Sequence, residues 1–417
     1  MKRALVLGGG GSRGAYEIGV WKALRELHID FDIVTGTSIG ALNGYFFVTG
    51  QYEQALQLWE NVTVEDVMRN GVNLELSEFQ QMLTYRNREQ LRRYLKSYIK
   101  NKGADIEPFV ELLKRYVEPQ KIKDSPIPFG VVTVQWPLLK QTNVVLQKVE
   151  DDEMVDYLLA SSAVFPIFPI HSFKGKSFLD GGYRDTLPIP FAIELGANEI
   201  IAVNLYHNVD FHKDYLNMPF VKLIKPSWDL GSLLLFKQDV IRRNLMLGYN
   251  DTMKAYGKFV GHRYSFRPTF NYDEAASHMF TQIIKINPKL ATKSNNFLKK
   301  VMSPKSSTMD YFLRMLEIVA EKLKIDYLKV YEVSELINEV KEAIVVDEST
   351  IALCLDTHRL YSKYSIFDPQ NLNYYALFKY CFEHNIVLTK ALKKNRDNFK
   401  FVSLFAFFRE LYFIRED

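Results

Sequence analysis

The amino-acid sequence predicts an α/β fold: a three-layer α/β/α unit on a mainly parallel central sheet, followed by a mostly helical C-terminal region. Three observations predict it. Up to residue 210, short apolar runs of strand length alternate with segments whose apolar residues recur at helical spacing, the pattern of a parallel sheet covered by helices. Glycine-rich turns stand where a strand passes into a helix. From about residue 211 strand-like runs become scarce and long amphipathic segments take over.

Taken in order, Arg3–Leu7 is a short apolar strand and Gly8–Gly14 a glycine loop. Ala15–Leu27 carries apolar residues at 15, 18, 21, 24 and 27, one face of a helix. Phe31–Thr35 reads as a second strand and Ile39–Val48 as a helix. Residues 52–118 are largely charged and amphipathic, with helical pieces at Arg88–Lys100 and Glu107–Tyr116. Phe129–Gln135 and Asn143–Val149 return to strand composition, and Glu153–Ser161 to helix. Ser177–Leu179, a turn at Asp180–Gly182, the helix Pro188–Leu195 and the strand Glu199–Leu205 complete the alternation. In the second half Tyr311–Leu323 and Val333–Ile344 are amphipathic helices. Pro268 and Ser294–Asn296 are the linker candidates, and Phe399–Ile414 gathers Phe401, Leu404, Phe405, Phe408, Leu411 and Tyr412 on one face, a stripe that reads as core.

Composition sets the outer bounds. A chain of 417 residues, 47% hydrophobic and 24% charged, is neither disordered nor collagen-like, and it exceeds what one core fills. The division expected is a first domain at 1–210, extending to about 257, and a helical basic domain at 268–417 of open role. Cys354 and Cys381 are too few for a disulfide scaffold. The apolar run Ala4–Leu7 is too short for a signal peptide, and no stretch of about 18 apolar residues offers a membrane span, so a cytoplasmic protein is expected. The net charge of +4 averages two unlike halves: residues 1–210 sum to −4 and residues 211–417 to +8. A basic, aromatic half suits an anionic surface such as membrane lipid or nucleic acid, and a solvated basic face accounts for it equally well.

Gly36-Thr37-Ser38-Ile39-Gly40 is a G-x-S-x-G motif between a predicted strand and a predicted helix, the context in which a strained turn presents a nucleophilic serine. Gly8–Gly14 supports two readings. Gly9, Gly11 and Gly14 satisfy a dinucleotide fingerprint, although Asp30 and Asp32 stand at the start of the second strand and Thr35 at its end, where that fingerprint wants an acid. Alternatively the glycines converge backbone N–H groups on an oxyanion, with Arg13 adding charge or orienting the loop. Ser38 needs a base. His207 gives the chain order Ser38, Asp180, His207 of a triad; without it, Asp180 of Asp180-Gly181-Gly182 must act directly, helped by burial that raises its pKa.

Together these elements resemble the patatin-like phospholipase family. The match lies in Gly9-Gly10-Gly11-Ser12-Arg13-Gly14, in Gly36-Thr37-Ser38-Ile39-Gly40-Ala41-Leu42-Asn43, in Ala160–Pro166 and in Asp180-Gly181-Gly182, and it covers roughly residues 1–210. Ile241–Asn244 and Gly248-Tyr249 resemble a bacterial extension of it. The resemblance implies a serine acyl hydrolase cleaving carboxylic esters of lipids, a phospholipase A or lysophospholipase type. Ser38 is then the nucleophile, Asp180 the base, and Gly9, Gly10, Gly11, Ser12, Arg13 and Gly14 the oxyanion loop. Gly36, Gly40, Gly181 and Gly182 are the elbow and turn glycines. It further implies no cofactor, no metal and no nucleic-acid partner, a lipid ester substrate, and with the charge split a peripheral contact with anionic membrane. Thr186 departs from the family's frequent Asn. The other classes are a nucleotide-binding protein using the glycine loop and a catalytically silent scaffold; oligomeric state is not encoded in any motif.

Overall fold

The computed structural model describes residues 2–69, 103–207, 212–269, 273–290, 308–346, 373–384, 396 and 399–413. The helix expected at Arg88–Lys100, the linker candidate Ser294–Asn296 and Cys354 lie outside the described residues. Packing divides the chain into two compact units, residues 1–257 and 258–417.

The first unit carries one sheet of eight strands: β1 (Arg3–Leu7), β2 (Ile33–Thr37), β3 (Phe129–Trp136), β4 (Lys140–Val145), β5 (His171–Phe173), β6 (Lys176–Asp180), β7 (Glu199–Val203) and β8 (Val221–Ile224). Strands β3, β2, β1, β7 and β8 lie side by side and parallel. They are rich in Val, Ile, Leu and Ala because both faces are covered, and Ala4 to Leu7 are fully buried. The helices are α1 (Ala15–Glu26), α2 (Ile39–Val48), α3 (Tyr52–Asn61), α4 (Glu107–Tyr116), α5 (Pro119–Asp124), α6 (Asp151–Ser161), α7 (Ile189–Glu194), α8 (Lys213–Leu216) and α9 (Gln238–Ala255). Alternation along the strands sorts them into layers. Ala4, Val6, Ile33, Ile200 and Ala202 pack with Ile189 and Ala192 of α7 on one face. Helix α2, apolar almost all round, packs on β1, β2 and β3. The outer pair α1 and α9 touch backbone to backbone: a Cβ on Gly19 would lie 1.9 Å from the Leu245 carbonyl oxygen, and one on Gly248 2.0 Å from that of Tyr16.

The register of β3 decides where the unit's chemistry can sit. One edge of β3 pairs with β4 over residues 130–135. The other edge is shared. Strand β2 occupies it as far as Thr37 opposite Val132, and β6 takes it up, antiparallel, from Asp180 opposite Thr133. The C-terminal ends of β2 and β6 therefore meet at consecutive residues of β3.

Several boundaries differ from the sequence expectation by one to three residues, as where the strand expected at Glu199–Leu205 ends at Val203 and the helix expected at Glu153–Ser161 begins at Asp151; three more bear on the sheet. Strand β2 begins and ends two residues later than Phe31–Thr35, because Gly36 and Thr37, which look like turn residues, continue the ladder. Strand β4 starts at Lys140, not Asn143; its first residues are polar and exposed or half-buried at the sheet margin, so an apolar criterion misses them, and Leu146–Lys148 is a 3₁₀ turn. Asp180 ends β6 where a turn residue was expected.

The second unit is mostly helical: α10 (Asp273–Ile286), α11 (Thr308–Lys322), α12 (Val333–Ala343), α13 (Asn373–Glu383) and α14 (Phe399–Phe413), with two-residue parallel strands β9 (Ser265–Phe266) and β10 (Val330–Tyr331). Pro268 lies within this unit, just after β9. Helix α14 packs on α10 and α13 with Leu404, Phe405, Phe408 and Leu411 buried, so the aromatic stripe is core. Among the described residues no helix is long and apolar enough to cross a membrane.

Candidate active site

Ser38 sits between β2 and α2 with φ 55 and ψ −125, a left-handed conformation that costs a non-glycine residue on the order of 1–3 kcal/mol. The turn closes only because its flanks lack side chains. A Cβ on Gly36 would come 2.3 Å from the Gly40 carbonyl oxygen, and one on Gly40 2.5 Å from that of Leu7. Although Ser38 is the N-cap of α2, its hydroxyl makes no capping bond and is left for another partner. Its N–H donates to Ser161 Oγ at 2.9 Å, and that hydroxyl donates to the Val132 carbonyl at 2.6 Å. Ser161, at the end of α6, thus ties the elbow to the residue of β3 where β2 gives way to β6.

Asp180 arrives from that second strand. Its side chain is buried at 6% exposure, Oδ1 accepts the Gly182 N–H at 2.6 Å, and the carboxylate lines the same cavity as Ser38. Burial pushes the carboxyl up to about 6, against the lowering effect of the nearby Ser38 hydroxyl and the Gly182 N–H. His207 Nδ1 is 3.0 Å from the Pro226 carbonyl oxygen, and among the described residues no histidine lines the cavity onto which Ser38 and Asp180 open.

The glycine loop divides by what its N–H groups do. Gly9 donates to the Thr186 carbonyl at 2.9 Å, Ser12 to that of Leu233 at 2.8 Å and Arg13 to that of Gly10 at 3.2 Å. The N–H groups of Gly10 and Gly11 have no acceptor among the described residues, and both residues line the cavity with Ser38. Gly11 has φ +56, and a Cβ there would stand 2.2 Å from the Leu233 carbonyl oxygen. Ser12 and Arg13 serve as fasteners: Ser12 Oγ donates to the Ser232 carbonyl and accepts from Leu235 N–H, and Arg13 Nε donates to the Gly231 carbonyl at 2.8 Å. Arg13 lies over the Tyr206 ring and does not line the cavity. The Gly14 carbonyl accepts from Asn43 Nδ2 at 3.0 Å. The acid wanted by the dinucleotide reading is also spent elsewhere, since Asp32 Oδ2 accepts the Arg3 N–H at 2.7 Å, ahead of β2.

The cavity encloses 360 Å³, and apolar side chains dominate its wall: Leu42 and Phe46 from α2, Phe109 and Leu113 from α4, Phe168, and Leu234 from the segment that Ser12 fastens. Leu233, Leu234 and Phe236 line it and escape a reading of the sequence, because they lie beyond the strand–helix alternation. Tyr183 and Thr186, in the loop after Asp180, complete the rim; the Thr186 hydroxyl is 3.4 Å from the Gly182 carbonyl oxygen, so the departure from Asn leaves the loop closed on itself. Behind the glycine loop Glu17 is fully buried. One oxygen accepts from Asn43 Nδ2 at 2.7 Å, the other has no partner, and burial pushes the carboxyl up to about 8. It falls off the helical stripe of 15, 18, 21, 24 and 27, and nothing local distinguishes it from a solvent-facing glutamate. Among the described residues no cluster of His, Cys, Asp and Glu has the makings of a metal site.

Residues 5–193 match the family model described as patatin-like phospholipase. Patatin-like phospholipase domain-containing protein 7 of Rattus norvegicus is 28% identical over 204 residues, covering 48% of this chain and 13% of that protein. Lysophospholipase NTE1 of Mycosarcoma maydis is 30% identical over 209 residues, covering 49% and 10%. Lysophospholipase nte1 of Aspergillus terreus is 32% identical over 209 residues, covering 48% and 12%. The chain thus spans between 10% and 13% of the length of these relatives. Among solved structures, VipD from Legionella pneumophila aligns over 99% of this chain and 90% of its own, with 13% identity and a TM-score of 0.39.

Proposed function

We propose, from the match of residues 5–193 to the patatin-like phospholipase family model, that this chain is a lipid acyl hydrolase working through a Ser38–Asp180 dyad. The observation that carries the reading is a strained elbow serine and a buried carboxylate that open together onto one apolar cavity, with the serine near enough to favour the carboxylate's charged form. The ester's acyl chain lies along Leu42, Phe46, Phe109 and Leu113, where apolar burial supplies the binding energy. Ser38 Oγ attacks the carbonyl carbon as Asp180 takes its proton. With its carboxyl at about 6, Asp180 is mostly ionised at neutral pH and still more basic than an exposed aspartate. The negative charge on the former carbonyl oxygen is met by the free N–H groups of Gly10 and Gly11. Asp180 then hands the proton to the departing alcohol. A water attacks the acyl-enzyme, gives its proton to Asp180, and the fatty acid leaves as Ser38 regains its hydrogen. The glycines at 36, 40, 181 and 182 hold the turns, and Ser161 sets the elbow's height against β3.

The test is fatty-acid release from lysophosphatidylcholine and from phosphatidylcholine by the purified chain. Ser38→Ala is expected to cut either rate by roughly 10⁴-fold; a variant within about twofold of the parent overturns the assignment.

A further inference from the structure

Of the seven large apolar side chains exposed among the described residues of the first unit, four belong to two neighbouring elements; Met218, Phe220 and Met246 belong to others. Trp136, Leu138 and Leu139, at 43%, 70% and 39% exposure, form the tip of the β3–β4 hairpin, and Tyr183, at 48%, lies in the turn after Asp180. One bond joins the two elements: Arg184 Nε donates to the Leu139 carbonyl at 2.8 Å. Tyr183 is fixed in turn by its hydroxyl on the Phe165 carbonyl and lines the cavity that holds Ser38 and Asp180. The hairpin tip and the cavity rim are therefore one continuous surface. Lys140 and Arg184 flank it, both exposed and neither in an ion pair among the described residues.

We propose that Trp136, Leu138, Leu139 and Tyr183, flanked by Lys140 and Arg184, form a docking surface for a lipid bilayer with anionic headgroups, which the hairpin enters to its tip. Three arguments favour this occupant. Trp and Tyr combine an apolar body with a polar edge and partition to the headgroup level, while Leu138 and Leu139 reach the acyl region below it. Two unpaired cations at the margin of an apolar tip match anionic headgroups, each adding about fivefold to binding. The patch runs into the cavity through Tyr183, so a bilayer seated on it presents an ester to Ser38 without passage through water. That last argument rests on the acyl-hydrolase reading; binding itself does not.

The experiment uses the full chain and flotation with vesicles of phosphatidylcholine, with and without one-third phosphatidylglycerol. Hydrolysis of the soluble ester p-nitrophenyl butyrate is measured alongside. The parent is expected to float with the mixed vesicles. Leu138→Asp should weaken that binding roughly tenfold or more while hydrolysis of the soluble ester is unchanged, which also shows that the variant is folded. Lys140→Glu should erase the preference for phosphatidylglycerol. Flotation unaltered in Leu138→Asp overturns the proposal, as does a parent that does not float. A dimer that becomes monomeric in Leu138→Asp, with flotation unchanged, assigns the patch to a second copy and overturns it too. Absence of esterase activity with flotation lost in Leu138→Asp would contradict the hydrolase reading and leave the docking surface standing.

Discussion

Two buried carboxylates in the first unit sit in regions that differ in one respect. Asp180 lies at the junction of β2 and β6 and opens onto the cavity; Glu17 lies behind the glycine loop, sealed against Asn43. Burial raises both, to about 6 and about 8. Asp180 is brought back toward the ordinary range by the Ser38 hydroxyl and the Gly182 N–H, whereas Glu17 keeps one oxygen without a partner. A raised pKa therefore marks a proton-transfer group only when the carboxylate also faces a reacting atom and solvent. Glu17 has the larger shift and no such access.

The comparison breaks most readily at Asp180. Asp180→Asn should lower ester hydrolysis by roughly 10³-fold without lowering stability at pH 7, since it removes a buried charge along with the base. In the parent, kcat/KM should fall tenfold per pH unit below about 6 as Asp180 takes up a proton. A flat profile through pH 5 would mean that another group is the base.

Glu17 gives a smaller effect, on stability. Its native carboxyl is raised from 4.5 to about 8, so the folded state holds a proton that the unfolded state has released. Stability is fully present below about 4.5 and declines as pH rises toward 8, by about 1.4 kcal/mol per unit for this one group. Glu17→Gln keeps a neutral, hydrogen-bonding side chain in place and should be the more stable protein at pH 8, by on the order of 3 kcal/mol in urea unfolding. An equal decline in both proteins would place the linked proton elsewhere.

The same contrast shows what the sequence could reveal. The elbow and the glycine loop are legible because their chemistry is local: a turn that tight demands Gly36 and Gly40 beside Ser38, and a left-handed residue under a carbonyl demands Gly11. The alternation of strands and helices is legible for the same reason. What escaped depends on pairing across distance. That β6 runs antiparallel and meets β2 on one edge of β3 has no signature in either strand, and it is this register that sets Asp180 beside Ser38. The burial of Glu17 depends on Asn43, and the cavity wall from Leu233 to Phe236 depends on Ser12 and Arg13 reaching across more than 200 positions. The charge split is equally silent on geometry: the exposed apolar tip at Trp136–Leu139 belongs to the acidic half of the sequence and not to the basic, aromatic one.

The central claim, that Ser38 is activated by Asp180 alone, is tested most directly with a fluorophosphonate probe and peptide mass mapping. A single adduct on Ser38 is expected, absent in Ser38→Ala and formed at least about 100-fold more slowly in Asp180→Asn. An adduct formed at the parent's rate in Asp180→Asn, or labelling undiminished in Ser38→Ala, would contradict it.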